Sequence, residues 1–279
     1  MMVSALATSA GVLVDALTGR PRLRAAGCEV IHLRLALPGG PMAFHLAAPE
    51  RPVRLSELVP VCRYLSSQIM QSAVHDAGAT GESVACRKGC SACCHYLVPL
   101  SVPESLWLYE HVQALPSARR RTVMRAFTVA AAKLFSGGRL PMLSSQDSQS
   151  EEIGRVSEWY RALDLACPLL REHLCSVYAT RPLACREHVM LTDPSGCTNP
   201  SATAGQRVIM PASLVNCLAE VTAELEQRPI ESVLLPLTMH WVRANLGRFR
   251  HTWPAPLLVK MLAERLTAAV RAAEASGKL

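Results

Sequence analysis

The sequence predicts a mainly α-helical protein, with a helical cysteine-cluster domain and a small β-hairpin near the N-terminus. Half of its 279 residues are hydrophobic and 18% are charged, a composition that can bury a core and excludes a disordered chain. Aromatic residues make up only 5%, and the apolar residues are mostly Ala, Leu and Val, which favours helices. Four cysteines fall between Cys86 and Cys94, more than the packing of a core requires.

The hairpin is the first predicted element, because residues 29–49 alternate between apolar and polar on either side of Pro38-Gly39-Gly40. Capping residues, proline positions and apolar periodicity then predict helices over 56–75, 101–115, 117–135, 151–174, 211–227, 232–246 and 254–276. We divide the chain into an N-terminal segment with the hairpin (1–54), a cysteine-cluster metal-binding domain with a helical excursion (55–212) and C-terminal helices that pack on the same core (213–279).

The N-terminal residues have no basic start, and Asp15 interrupts their apolar pattern, so we expect no signal peptide. No run approaches the roughly 18 apolar residues needed to span a bilayer. These features predict a cytoplasmic protein with no membrane association. In a reducing compartment, an odd set of eleven cysteines is explained better by metal or redox chemistry than by disulfides.

The first cysteine group is Cys86-x3-Cys90-x2-Cys93-Cys94. Gly89 allows the backbone to turn sharply between the first two thiols. Thiolates that converge within so short a loop repel one another unless a cation neutralises them. We therefore interpret the group as one half of a metal site.

A second group contains Cys167, Cys175 and Cys185, and Cys197 follows in an irregular stretch. Two groups separated by a helical excursion are typical of zinc and iron–sulfur domains, in which distant segments converge on a metal. The eight candidate ligands are Cys86, Cys90, Cys93, Cys94, Cys167, Cys175, Cys185 and Cys197. The remaining cysteines stand alone in apolar surroundings and are predicted to be small buried hydrophobes: Cys28, Cys62 and Cys217.

The sequence leaves two metal centres open, zinc and an iron–sulfur cluster. We favour iron–sulfur over zinc because the thiols are numerous, tightly looped and flanked by cations that could offset the charge of the thiolates. These cations are Arg87, Lys88, Arg171, Arg181 and Arg186. Histidines beside the cysteines could complete a coordination shell: His95, His173 and His188.

Both cysteine groups fit one combined pattern, Cys86-x3-Cys90-x2-Cys93-Cys94 with Pro103 and Glu104, then Cys167-x7-Cys175-x2-Tyr178-x2-Arg181-Pro182-x2-Cys185-Arg186. Over about residues 85–188 this pattern resembles the YkgJ-like cysteine-cluster family, described as a zinc- or iron-chelating domain. Flagellin lysine N-methylase shares the motif. The resemblance implies metal chelation through the seven cysteines of the pattern, and it leaves Cys197 outside.

The resulting hypothesis is a metal-binding cysteine-cluster protein of undetermined cellular role. The alternative is a cluster-dependent protein-modifying enzyme such as a lysine N-methyltransferase, so the sequence leaves enzymatic activity open. S-adenosylmethionine would then be the cofactor, but no strand, Gly-rich turn and helix follow one another as in common nucleotide-type sites. Radical-SAM chemistry is rejected, since Ala92 stands where an aromatic is usual and no β/α barrel is predicted.

The net charge of +7 permits an acidic partner. Arg119, Arg120 and Arg121 fall in the first turn of a predicted helix, where positive charge opposes the helix dipole. These three residues are a candidate docking surface for an acidic protein partner, and the alternative is an ordinary solvated helix face. The basic and aromatic stretch 248–253 is an isolated feature, and no nucleic-acid partner is expected.

Overall fold

The computed structural model of the protein describes residues 12–79, 81, 83–136, 149–191 and 207–277. The helices in these ranges are α1 (Val59–Ala79), α2 (Val102–Gln113), α3 (Ser117–Ser136), α4 (Gln149–Ala162), α5 (Leu183–Glu187), α6 (Leu214–Glu226), α7 (Thr238–Ala244) and α8 (Ala255–Ala275). The strands are β1 (Leu13–Asp15), β2 (Cys28–Leu35), β3 (Met42–Pro49), β4 (Pro52–Val53), β5 (Pro99–Ser101), β6 (Leu170–Arg171), β7 (Leu174–Cys175), β8 (Ser232–Leu234) and β9 (Trp253–Pro254). The mainly α class with a small N-terminal sheet is confirmed.

The predicted hairpin is present as β2 and β3, which pair antiparallel with Leu33 opposite Phe44. Side chains alternate across the sheet, so Ile31, Leu33 and Leu35 face the interior and the residues between them are exposed. The short strand β1 adds to β3 in parallel and gives the order β1-β3-β2. Three residues are too few for an alternation to reveal such a strand in the sequence.

The main core lies where the sheet, α1, α6 and α8 meet. Leu46, Leu65, Leu218 and Leu262 come from these four elements, and each is 0% exposed. The N-terminal sheet and the C-terminal helices therefore share one apolar cluster. The residue boundaries that we assigned to three segments stay a prediction.

Helix α2 begins after Ser101 and carries Pro103 in its first turn, as the sequence predicts. Ser101 precedes the helix but forms no side-chain cap. Glu104 is instead 2% exposed, and its Oε1 accepts a hydrogen bond of 2.6 Å from the backbone N–H of Leu183. This carboxyl group joins α2 to α5, the short helix that carries Cys185.

The helix predicted over 151–174 is wrong in its second half, because α4 ends at Ala162. Pro168 cannot continue a helix, and β6 and β7 form a tight hairpin after it. The two residues of its turn, Glu172 and His173, have positive φ of 48° and 62°. Such turns usually contain Asn or Gly, so this sequence carries no strong signal for the hairpin.

The helix predicted over 232–246 is also wrong at its start. Residues Ser232–Leu234 form β8, which pairs antiparallel with β5, and α7 begins only at Thr238. Gly247, just after the predicted end of this helix, lies in a 3₁₀ turn over Leu246–Arg250. Among the described residues, no helix combines the length and the apolarity needed to cross a membrane.

Candidate metal centre

The two cysteine segments meet directly. A 3₁₀ turn over Ala92–His95 carries Cys93 and Cys94, and the backbone N–H of Cys167 donates a 2.7 Å hydrogen bond to the carbonyl of Cys94. Cys175 ends the hairpin that follows Cys167, and Pro182 precedes the short helix α5 that carries Cys185. The fold thus brings five of the predicted ligands into one region, from positions far apart in the sequence.

These five thiols influence one another electrostatically. Burial raises the pKa of Cys167 to about 12, and the neighbouring Cys175 and Cys93 raise it further. The pKa of Cys185 is raised well above its usual range by burial, and by Cys167, Cys93 and Cys175 in addition. Burial also raises the pKa of Cys175. Without a cation, the protein environment therefore holds most of these groups as neutral thiols.

Cys93 and Cys94 behave differently although they are adjacent. The thiol of Cys94 donates a hydrogen bond to the sulfur of Cys93, which lowers the pKa of Cys93 and raises that of Cys94. Arg181 also lowers the pKa of Cys93. Cys93 is thus the thiol of the region that ionises most readily.

Arg181 is the flanking cation that acts on the thiols of both segments, since it lowers the pKa of Cys93 and of Cys175. Its guanidinium lies 4.8 Å from the ring centroid of Tyr178, which fixes its direction. Arg186 bonds the backbone instead, since its Nη2 donates a 2.6 Å hydrogen bond to the carbonyl of Ala179. Arg63 donates a second 2.6 Å hydrogen bond to the same oxygen. Arg171 also bonds backbone, the carbonyl of Thr122 at 3.0 Å.

Cys90 lies beside the region but outside the group of five. Gly89 before it has a φ of 97°, and a Cβ at that position would lie 4.0 Å from Leu174. Ser91 Oγ after it is 3.5 Å from His173 Nδ1. The Cys90 loop therefore packs against the hairpin that presents Cys175.

Cys86 lies in a different environment. Its sulfur accepts a 3.2 Å hydrogen bond from the backbone N–H of Met190, and its side chain packs against an apolar cluster that includes Met70 and Val189. Cys197 lies outside the described residues. The assignment of all eight cysteines as ligands stays a prediction, with five of them brought together by the fold.

The three candidate histidines have other neighbours. His95 Nδ1 lies 3.5 Å from a carboxylate oxygen of Asp164, and His188 Nδ1 lies 3.5 Å from Arg207 Nη1. His173 is the one that faces Ser91. In the described parts of the chain, no three His, Cys, Asp or Glu side chains are close enough together to hold a metal ion.

Two carboxyl groups support the region, those of the buried Glu104 and the half-buried Glu187. Burial raises the pKa of Glu104 to about 7 and that of Glu187 to about 7. Glu187 accepts hydrogen bonds of 2.8 Å from Ser213 Oγ and from the backbone N–H of Leu214, and so ties α5 to the start of α6. The position of Glu187 two residues after Cys185 carries no signal that would have revealed this contact.

A cavity of about 480 Å³ opens beside the cysteines, with Cys93 and Cys185 in its wall. Leu97, Val98, Ile209 and Met210 contribute apolar surface. Its polar lining includes Tyr96, Glu187, His188, Arg207, Ser213 and Asn216. The lining thus mixes apolar and polar groups, and a volume of this size is typical of small-molecule sites.

Of the three cysteines predicted to be small buried hydrophobes, two are buried and one is not. Cys62 and Cys217 are 0% and 2% exposed, which confirms the prediction for them. Cys28 is half-buried, and its sulfur lies 2.8 Å from Arg22 Nη1, so it differs from the prediction. All ten described cysteines are free thiols.

No curated protein and no solved structure matches the chain. A family model does match, over residues 85–202, which is less than half of the chain and contains all eight candidate cysteines. The name of the family, CxxCxxCC, has two residues in its first gap where this chain has three, between Cys86 and Cys90. Residues 85–202 thus match a family described as a "putative zinc- or iron-chelating domain", which confirms the resemblance drawn from the cysteine spacing.

Proposed function

We propose that this protein binds a metal centre through cysteine thiolates from both segments, with an iron–sulfur cluster favoured over zinc. The observation that carries the proposal is the mutual influence of five thiols: Cys93, Cys94, Cys167, Cys175 and Cys185. Half-buried thiols whose pKa is raised by desolvation and by one another lose their protons readily only when a cation takes the place of those protons, and this holds for Cys94, Cys167, Cys175 and Cys185.

The residues suit such a centre in charge as well as in type, and because no three of the described side chains are close enough together to hold an ion, metal binding would have to draw the thiols together. Four thiolates around a zinc ion or an oxidised [4Fe–4S] core leave a net negative charge, and Arg181 already lies where it favours ionised sulfur at Cys93 and Cys175. Bound zinc would hold the two segments together, whereas an iron–sulfur cluster would in addition supply an electron acceptor and donor.

We propose that the contribution of each cysteine to metal binding depends on its place in the fold. The five mutually coupled cysteines are the main ligands, and Cys90 joins them because its loop rests on the Cys175 hairpin. Cys86 ranks last among the described candidates, since its side chain packs against the apolar cluster that contains Met70 and Val189. We expect Cys185→Ser to lower bound metal severalfold and Cys86→Ser to lower it less.

The test is elemental analysis together with the absorption spectrum of protein purified without oxygen. Iron with acid-labile sulfide and a broad visible absorption supports the cluster, and zinc in a colourless protein supports the alternative metal. Cys217→Ser is the matched control, because Cys217 is buried in the main core and should not affect metal content. Full metal content in both Cys185→Ser and Cys175→Ser, with folding verified by circular dichroism, would contradict the shared centre.

A second candidate function is a cluster-dependent protein-modifying enzyme such as a lysine N-methyltransferase. The cavity of about 480 Å³ favours it, since this space adjoins Cys93 and Cys185 and could admit a substrate beside the metal. Saturable binding of S-adenosylmethionine to the metal-loaded protein, lost on Val98→Trp in the cavity wall, would support this function. If S-adenosylmethionine does not bind to the metal-loaded wild-type protein, methyl transfer is excluded as its function.

Free thiols in this number fit a reducing compartment, and we propose that the protein is cytoplasmic.

An acidic protein partner is proposed to dock at the start of α3, where Arg119 and Arg121 are exposed. Arg120 is less available because its Nη1 donates to the carbonyl of Gln113 at 2.9 Å. Arg119→Ser with Arg121→Ser should abolish capture of the partner at low salt, whereas Arg120→Ser should weaken it less. Equal capture by both variants would contradict this surface.

A further inference from the structure

Two histidines face each other on the N-terminal sheet, on strands that carry none of the eight candidate ligands. His32 on β2 and His45 on β3 are directly opposite in the antiparallel register. Their Nδ1 atoms are 2.6 Å apart, and their rings meet edge to face with centroids separated by 4.7 Å. His32 is exposed and His45 is half-buried, so solvent reaches the pair.

At this distance one Nδ1–H donates to the other Nδ1, so in this state only the accepting ring directs a lone pair at its partner. When the donating ring carries its proton on Nε2 instead, both Nδ1 lone pairs are free for one ion that lies between them. A transition-metal ion bound at about 2.0–2.1 Å from each nitrogen would place the nitrogens about 2.9 Å apart at a right angle and about 3.3 Å apart in a tetrahedron. The pair has to open by less than about 1 Å, which small side-chain rotations on a solvent-exposed face allow.

We propose that His32 and His45 form a binding site for one divalent transition-metal ion of the zinc, nickel and copper class. Imidazole nitrogen suits these ions, whereas calcium and magnesium require oxygen ligands. The site is independent of the proposed cysteine centre, since it uses none of its residues.

The surroundings determine how firmly the ion is held. Asp15, on the neighbouring strand, is already engaged by the backbone N–H groups of Leu17 and Thr18 and by Arg22. Arg34 is exposed two residues beyond His32 and adds positive charge to the same face. No third His, Cys, Asp or Glu completes the shell within the described ranges, so water would fill the remaining positions. The bound ion is therefore exchangeable.

The experiment is a titration of full-length protein, already loaded at its cysteine centre, with zinc chloride while the imidazole resonances are followed by NMR. We expect the signals of His32 and His45 to shift together and to saturate at one added equivalent. The signal of His240, an exposed histidine beside Phe135, should not move. Unmoved His32 and His45 signals across the titration would overturn the proposal.

Variants separate ligation from a structural hydrogen bond. His32→Gln and His45→Gln each keep a side chain that can bond across the strands, yet each should weaken zinc binding by about tenfold or more, because a direct ligand matters at least as much as a supporting contact. His240→Gln should bind as wild type does. Equal zinc affinity in all three variants would exclude the pair as the ligand.

Failure of this site and failure of the cysteine centre give different results. Cys185→Ser should lose metal from the cysteine centre and keep the response of the His32 and His45 signals. His32→Gln should keep the metal at the cysteine centre and lose the response of the His45 signal to zinc. A folded Cys185→Ser protein whose histidine signals no longer respond would contradict the independence of the two sites.

Discussion

The main core and the cysteine region differ in the length of their elements and in the burial of their side chains. The core contains long elements, with α1 and α8 of 21 residues each and side chains such as Leu258 and Leu262 at 0% exposure. The cysteine region contains a 3₁₀ turn, two strands of two residues and a helix of five, and its described cysteines are half-buried. Apolar burial stabilises the first region throughout, whereas the second combines a few buried side chains, such as Leu169 and Leu183, with half-buried thiols.

The largest effect on stability should come from the core. Leu262→Ala removes a fully buried side chain from the junction of the sheet and the helices, and we expect the free energy of unfolding to fall by about 2–5 kcal/mol. Urea denaturation measures this change. Metal content per folded molecule should stay unchanged, and a parallel loss of metal would mean that the two regions are not separable.

The next effect concerns Glu104, whose carboxyl group links α2 to the helix that carries Cys185. Burial raises its folded-state pKa from 4.5 to about 7, so the folded protein prefers the protonated form. The resulting stability is fully present below about pH 4.5 and is lost as the pH rises through about 7, a change of about 3 kcal/mol. Stability of the wild type measured by urea at several pH values should therefore decline over this window.

Glu104→Gln should flatten this decline, because an amide is uncharged at every pH and its oxygen can still accept from Leu183. A smaller slope should remain from Glu187, whose pKa is also raised to about 7 by burial. An unchanged slope in Glu104→Gln would mean that Glu104 does not connect the regions in the way the contact implies.

The smallest effect tests the hairpin that carries Cys175. Glu172 and His173 both have positive φ, so Glu172→Asn with His173→Gly should raise stability by about 1 kcal/mol. In a helix, which the sequence predicts over 151–174, the same glycine would lower stability by about 1 kcal/mol. The sign of the change in urea midpoint therefore decides between hairpin and helix. Unchanged metal content in this variant would also exclude His173 as a ligand.

Sequence reasoning succeeded where a pattern is local. Alternation identified β2 and β3, and capping and proline signals identified α2 and α3 nearly to the residue. It failed after Pro168, where β6 and β7 pair through a turn that lacks Asn and Gly. It also failed at residues 232–234, where β8 pairs with β5, a strand distant in the sequence. Strands this short gain their stability from the partner strand, and a partner distant in sequence is invisible to a local pattern.

By itself, the sequence determined the fold class and the thiol chemistry, because composition fixes which residues can be buried and cysteine spacing fixes which thiols lie in one loop. Only the tertiary structure decided that Cys94 contacts Cys167, that Cys86 turns toward Met190, and that His32 meets His45. These contacts join residues from separate elements. Their distances depend on how the strands register and how the helices pack, and both are set by the burial of the whole core.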